Sequence, residues 1–151
     1  QDNMLLGRDS AHSVTFSATD LAGNSAGKDC TYSVQYSFTG FMPPLDNIPV
    51  LNQVKAGQAI PVKFSLSGNQ GLNILAPGSP SSLQITCPSG VPVDSLTETV
   101  AAGSSSITYD AISDQYVYVW KTDKGWANTC RQLNVALADG TIHIAGFQFT
   151  K

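Results

Sequence analysis

The chain has 151 residues, only 13% of them charged, and a net charge of −3 from eight basic and eleven acidic side chains. An average soluble protein carries roughly 25% charged residues, so polarity here comes from Ser, Thr, Asn, Gln and Gly, as is common in secreted β-proteins. The basic residues are scattered and form no stripe for phosphates, which argues against nucleic acid as a partner. No apolar run reaches the roughly 20 residues of a membrane helix.

The stretch "MLLG" lacks the basic flank and cleavage site of a signal peptide, so the chain reads as a mature product or an excised piece. "SVTFSATD" (13–20) is a strand carrying Val14 and Phe16, closed by the turn "DLAGN". "KDCTYSVQYSF" alternates next, with Cys30, Tyr32, Val34, Tyr36 and Phe38 on one face. "TGFMPPLDNIP" (39–49) breaks the alternation with three prolines and reads as a linker or a crossing between sheets. "PVLNQVKAG" gives a short strand and a turn. In "GQAIPVKFSLSG" (57–68), Ile60, Val62, Phe64 and Leu66 share one face while Pro61, Lys63 and Ser65 share the other.

"GNQGLNILAPGSPSS" (68–82) is a loop with an apolar plug at Leu72, Ile74 and Leu75, readable as a single helical turn. "LQITC" alternates again, and the next stretch is loop with a candidate strand at 96–100. "ITYD" and "DQYVYVWKT" form a hairpin across "AISD", and the last twenty residues form another on Asp139-Gly140. There Val135 and Leu137 are expected to face Ile142 and Ile144, with Gly146 as a bulge that re-phases Phe147 and Phe149. No helical periodicity of three turns occurs. Eight or nine short strands with such turns predict an all-β fold, an antiparallel immunoglobulin-like β-sandwich.

The three cysteines, Cys30, Cys87 and Cys130, have no C-x-x-C spacing and no neighbouring histidine, which argues against zinc. In a secreted chain, two would be bridged and one left over. His12 lies in the N-terminal stretch, and His143, between Ile142 and Ile144, is expected on the face away from the core. With no nucleophile–base constellation, the chain reads as a non-enzyme that calls for no cofactor. Asp20 and Asn24 share one turn, Asp110 and Asp114 another. Either turn could offer oxygens to Ca²⁺, but Ca²⁺ wants six to eight ligands, and Asp and Asn favour turns through their own backbone hydrogen bonds.

Tyr116, Tyr118 and Trp120 share a face of one strand. Pointing outward they would line a sugar-binding platform; pointing inward they are core, the better account of rings this large. Trp126, in the loop "DKGWANTC", is the candidate for an exposed stacking residue. Lys63 could be a crosslinking lysine, but an outward lysine beside a strand proline reads better as a guard on an open sheet edge.

"Pro61-Val62-Lys63-Phe64", with "VKAGQAIPVKFSLSGNQGLNIL", "DQYVYVWKTDKGWANTCRQLNVALADGT" and the closing "FQF", resembles the bacterial PxKF domain over about residues 36–151. "HSVTFSATDLAGNSAGKDCTYSV" resembles the last two strands of a hyalin-repeat or related immunoglobulin-like domain. The resemblance implies two units, residues 1–38 and 39–151, and a place in large secreted or surface-displayed bacterial proteins. Cys87 and Cys130 both fall within the PxKF-like region, at the ends of opposing strands, and are expected to pair, leaving Cys30 unpaired or available to another chain.

The function expected is a non-catalytic structural or adhesive module outside the cell or on its surface, a form of which would assemble into fibres by β-strand complementation. Its partners would be other copies or neighbouring immunoglobulin-like domains. The alternative is a carbohydrate-binding module of a secreted polysaccharide-degrading enzyme, with polysaccharide as the partner.

Overall fold

The computed structural model describes residues 11–87, 89–103 and 106–151, with the backbone alone for 11 and 12. The first two strands, β1 (Ala11–Thr19) and β2 (Ser25–Ser33), form an antiparallel ribbon. Asp20 closes its turn by accepting from the Ala22 and Asn24 amides, both at 2.9 Å. Regular pairing stops at Ser33, short of the expected Phe38. Alternation persists beyond it, with Val34, Tyr36 and Phe38 half-buried and Gln35 and Ser37 exposed.

Two five-stranded sheets make up the rest. In the first, β3 (Phe41–Met42), β5 (Ala59–Phe64) and β10 (Gln115–Lys121) lie side by side, and β8 (Val100–Ala101) and β9 (Thr108–Asp110) share the far edge of β10. In the second, the order is β4 (Leu51–Lys55), β12 (Ile142–Thr150), β11 (Cys130–Ala136), β6 (Ser81–Ile85) and β7 (Thr97–Glu98). Among the described residues every pairing is antiparallel except β4 with β12. These strands are too far apart in sequence for a hairpin to set their direction, and β4 covers what would otherwise be an open edge of β12.

The sheets bury their period-two faces against each other. Ile60, Val62, Phe64, Tyr116, Tyr118 and Trp120 from the first meet Leu133, Val135, Ala145, Phe147 and Phe149 from the second in one apolar cluster. Trp120 is the pivot, with ring centroids 5.3 Å from Phe147 and 6.1 Å from Phe149, both edge-on. Cys130 points to the other side of the second sheet, where it joins Leu83 and Ile85 in a small outer cluster. It is bonded there to Cys87, with Cα atoms 5.0 Å apart.

Several local expectations are corrected. The 39–49 segment crosses between sheets, but it also supplies an edge strand and two core residues, Phe41 and Leu45. The plug in the 68–82 loop is Ile74, fully buried, with Leu75 bridged to Leu137; Leu72 points out, and no helical turn forms. The candidate strand at 96–100 is two short strands on different sheets, β7 and β8, so the chain changes sheet at Thr99.

The first residues of β12, 142–144, have the reverse of the expected phase, while Phe147 and Phe149 face inward as expected. His143, Ala145, Phe147 and Phe149 face inward in one unbroken register, and Ile142 is 61% exposed. No bulge is needed. Gly146 has another reason: a Cβ there would sit 2.7 Å from Leu51 Cδ2 on the neighbouring strand β4.

Lys63 is half-buried rather than exposed, and it is not on an open edge. Met42 of β3 pairs with it on one side and Val117 of β10 on the other. β3 covers only Lys63 and Phe64. The outer side of Pro61 stays open among the described residues, where a missing N–H is tolerated.

Candidate functional site

At the end of the sandwich where β10 leaves the first sheet, a cavity of about 540 Å³ opens between β7, β8, the end of β10 and the start of β11. Past β10, Asp123 caps a 3-10 turn (Lys124–Trp126), its Oδ1 accepting from the Gly125 amide at 2.6 Å. Thr129 ties the turn down by donating its backbone N–H and its hydroxyl to the Trp126 carbonyl, at 3.0 and 2.7 Å. This places the Trp126 ring edge-on to Phe149 at 5.5 Å, closing one end of the core.

Arg131 shares the inward phase of Leu133 and Val135 and is only 5% exposed. Its guanidinium lies 4.2 Å from the Trp126 ring centroid, a cation–π contact. Nε and Nη2 reach Ser82 Oγ at 3.4 and 3.3 Å, and Nη1 lies 3.8 Å from Asp94 Oδ2. Burial pulls its pKa below the ordinary value, and the Asp94 charge pushes it back up. Sequence reading missed this residue. The signal was present: Arg131, Leu133, Val135 and Leu137 alternate, so the period that buries the aliphatics also buries the guanidinium.

The residues expected to stack on a ligand are mostly elsewhere. Tyr116, Tyr118 and Trp120 are core, 0%, 3% and 0% exposed, so they form no surface platform. The tyrosine hydroxyls anchor loops: Tyr116 donates to the Gly71 carbonyl at 2.9 Å and accepts from the Gln70 amide at 2.6 Å, while Tyr118 shares a 2.7 Å bond with Thr99. Trp126 is half-buried and borders the cavity. Hydrogen bonding to Asn24 and neighbouring amides holds the Asp20 carboxyl below its ordinary range. Asp110 is held low by Ser113 and the Ile112 amide, and Asp114 by Tyr109 and Ser65. All three carboxylates are engaged in turn and loop bonds, and Asn24 donates to Asp20 Oδ2 at 3.0 Å.

No family model and no curated protein matches this chain.

His143, expected on the outer face, instead stacks against Phe38 with centroids 3.6 Å apart. It also bonds Thr141 Oγ1 at 3.0 Å, and Thr141 donates to Asp139 at 2.6 Å. The other Asp139 oxygen accepts from the Tyr36 amide at 2.6 Å. Together these contacts clasp the segment after the ribbon onto the sandwich. His12 contributes backbone to β1; its side chain lies outside the described residues.

The ribbon itself has two unlike faces. Thr15 donates to Asp29 at 2.5 Å and Thr19 bonds Ser25 at 2.9 Å on the polar face. The opposite face carries Val14, Phe16, Ala18, Ala26, Cys30 and Tyr32 by register, with Lys28 across from Phe16. Val14 is 41% and Phe16 61% exposed, and Cys30 is an exposed free thiol. Among the described residues neither outer edge of the ribbon pairs with another strand.

Proposed function

We propose that this chain is a non-catalytic structural or adhesive module of an extracellular or surface-displayed bacterial protein: a PxKF-like sandwich behind the closing strands of an immunoglobulin-like neighbour, the two units meeting near residue 38. The observation that carries the reading is the ribbon. An isolated two-stranded hairpin is marginal in water, and this one offers a face that is apolar but for Lys28, and two open edges. Those features suit the sheet of a second copy, which would pair with an edge and cover Val14 and Phe16. A head-to-tail contact of this kind extends into a fibre when its rotation does not close. Disulfide closure of the sandwich suits an oxidising compartment, and the described residues contain no helix long and apolar enough to cross a membrane.

The test is mass in solution. The full chain should self-associate as concentration rises, and a version lacking residues 1–35 should stay monomeric. Identical monomers in both cases would contradict the reading.

A further inference from the structure

The cavity beside Trp126 has donors that the protein itself barely uses. Arg131 is buried, yet its three recorded polar contacts run from 3.3 to 3.8 Å, well beyond the roughly 2.8 Å of a charge-assisted bond. Trp120, another lining residue and fully buried, has an Nε1–H with no hydrogen-bond partner among the described residues. The Trp120 Nε1–H is closed off from the cavity, so the donor there is Arg131, whose long contacts leave it able to engage a ligand that brings acceptors.

The charges narrow the class. Arg131 and Lys121 face Asp94, Glu98 and Asp123 around the cavity. Three carboxylates against two cations disfavour an anionic ligand. They favour one that accepts from the guanidinium and donates to the carboxylates with adjacent groups of its own. Vicinal hydroxyls do both. The Trp126 indole, though covered by Arg131 on one face, contributes to the lining, and the volume lies within the range of small-molecule sites.

We propose that this cavity is a binding site for a neutral saccharide, with Arg131 donating to vicinal hydroxyls that in turn donate to Asp94 and Glu98. The site owes nothing to the ribbon and goes beyond the assembly reading. It is a pocket at the end of the sandwich, not the flat row of rings that Tyr116, Tyr118 and Trp120 would have made.

Both tryptophans of the chain border the cavity, so intrinsic fluorescence reports occupancy directly. The full chain is titrated with glucose, galactose, mannose, xylose and their β-linked disaccharides to about 10 mM, enough to saturate a site of roughly millimolar affinity. At least one neutral probe should give a saturable change. Arg131→Met should weaken that binding by about tenfold or more, about 1.4 kcal/mol. Because Arg131 is buried, Thr97→Phe on the exposed strand β7 serves as a second variant, filling the mouth without entering the core; this one should abolish the change. The proposal is overturned if no neutral probe saturates, if glucuronate alone binds, or if binding survives undiminished in Thr97→Phe.

Discussion

Reducing the Cys87–Cys130 bond should remove a large share of the sandwich's stability. The bond links positions 43 apart, and on the chain-entropy treatment closing a loop of that length constrains the unfolded chain by about 4 kcal/mol. That loop carries β7 to β10, including Trp120, so the crosslink, between β6 and β11 of the second sheet, closes off the segment that supplies an inner strand of the first. In the folded state Cys130 is already held by pairing with Ile85, so the bond acts chiefly on the unfolded ensemble. Urea unfolding of oxidised and reduced protein, in a Cys30→Ser background to prevent thiol exchange, measures the effect. With a slope of about 2 kcal/mol per molar, the midpoint should fall by about 2 M on reduction. A loss under about 1 kcal/mol would show that the loop is already constrained when unfolded, and would refute the entropic reasoning.

The phase of β12 can be checked by a pair of substitutions: Phe147→Ala should cost about 3–5 kcal/mol and Ile142→Thr no more than about 0.5 kcal/mol; the opposite ranking would contradict the register with Phe147 inward and Ile142 outward. The Tyr109 phenol, donating to Asp114, has its pKa pushed up to about 12, and Asp114→Asn should bring it back toward the ordinary value of about 10 in a spectrophotometric titration; an unmoved curve would mean the bond is absent in solution. The clasp at Tyr36 should loosen in two steps on acidification. Burial holds His143 below its usual 6.5 in spite of Asp139, so the unfolded chain takes up the proton first, and stability present at neutral pH is lost as pH falls below about 6.5. Burial raises the Asp139 carboxyl, but its bonds from Thr141 and Tyr36 outweigh this and hold it low. Its contribution is therefore present above about pH 4 and lost below that. Hydrogen exchange at the Tyr36 amide against pH reads both steps, and protection independent of pH would contradict them.

What the sequence made legible follows from how local each signal is. The alternations of β5 and β10, with Ile60, Val62, Phe64 and Tyr116, Tyr118, Trp120 inward, could be read because every second residue is large and apolar. The hairpins could be read from their turns. The phase at the start of β12 could not, because Ile142 and Ile144 outrank His143 and Ala145 in hydropathy, and only the pairing with β11 and the clasp at Phe38 decide between the faces. The parallel β4–β12 contact and the sheet change at Thr99 depend on partners far away in sequence, which local patterns do not encode. At the cavity, Trp126 stood out as an aromatic in a polar loop. Arg131 did not, because a charged residue in a strand is ordinarily taken to face solvent.

The central claim is that the ribbon of β1 and β2 is completed by a second copy, and amide hydrogen exchange across residues 13–31 at several protein concentrations tests it most directly. If the ribbon edges pair between chains, protection of these amides should rise with concentration while that of β10 and β11 stays constant. Protection that is the same at every concentration would contradict the account.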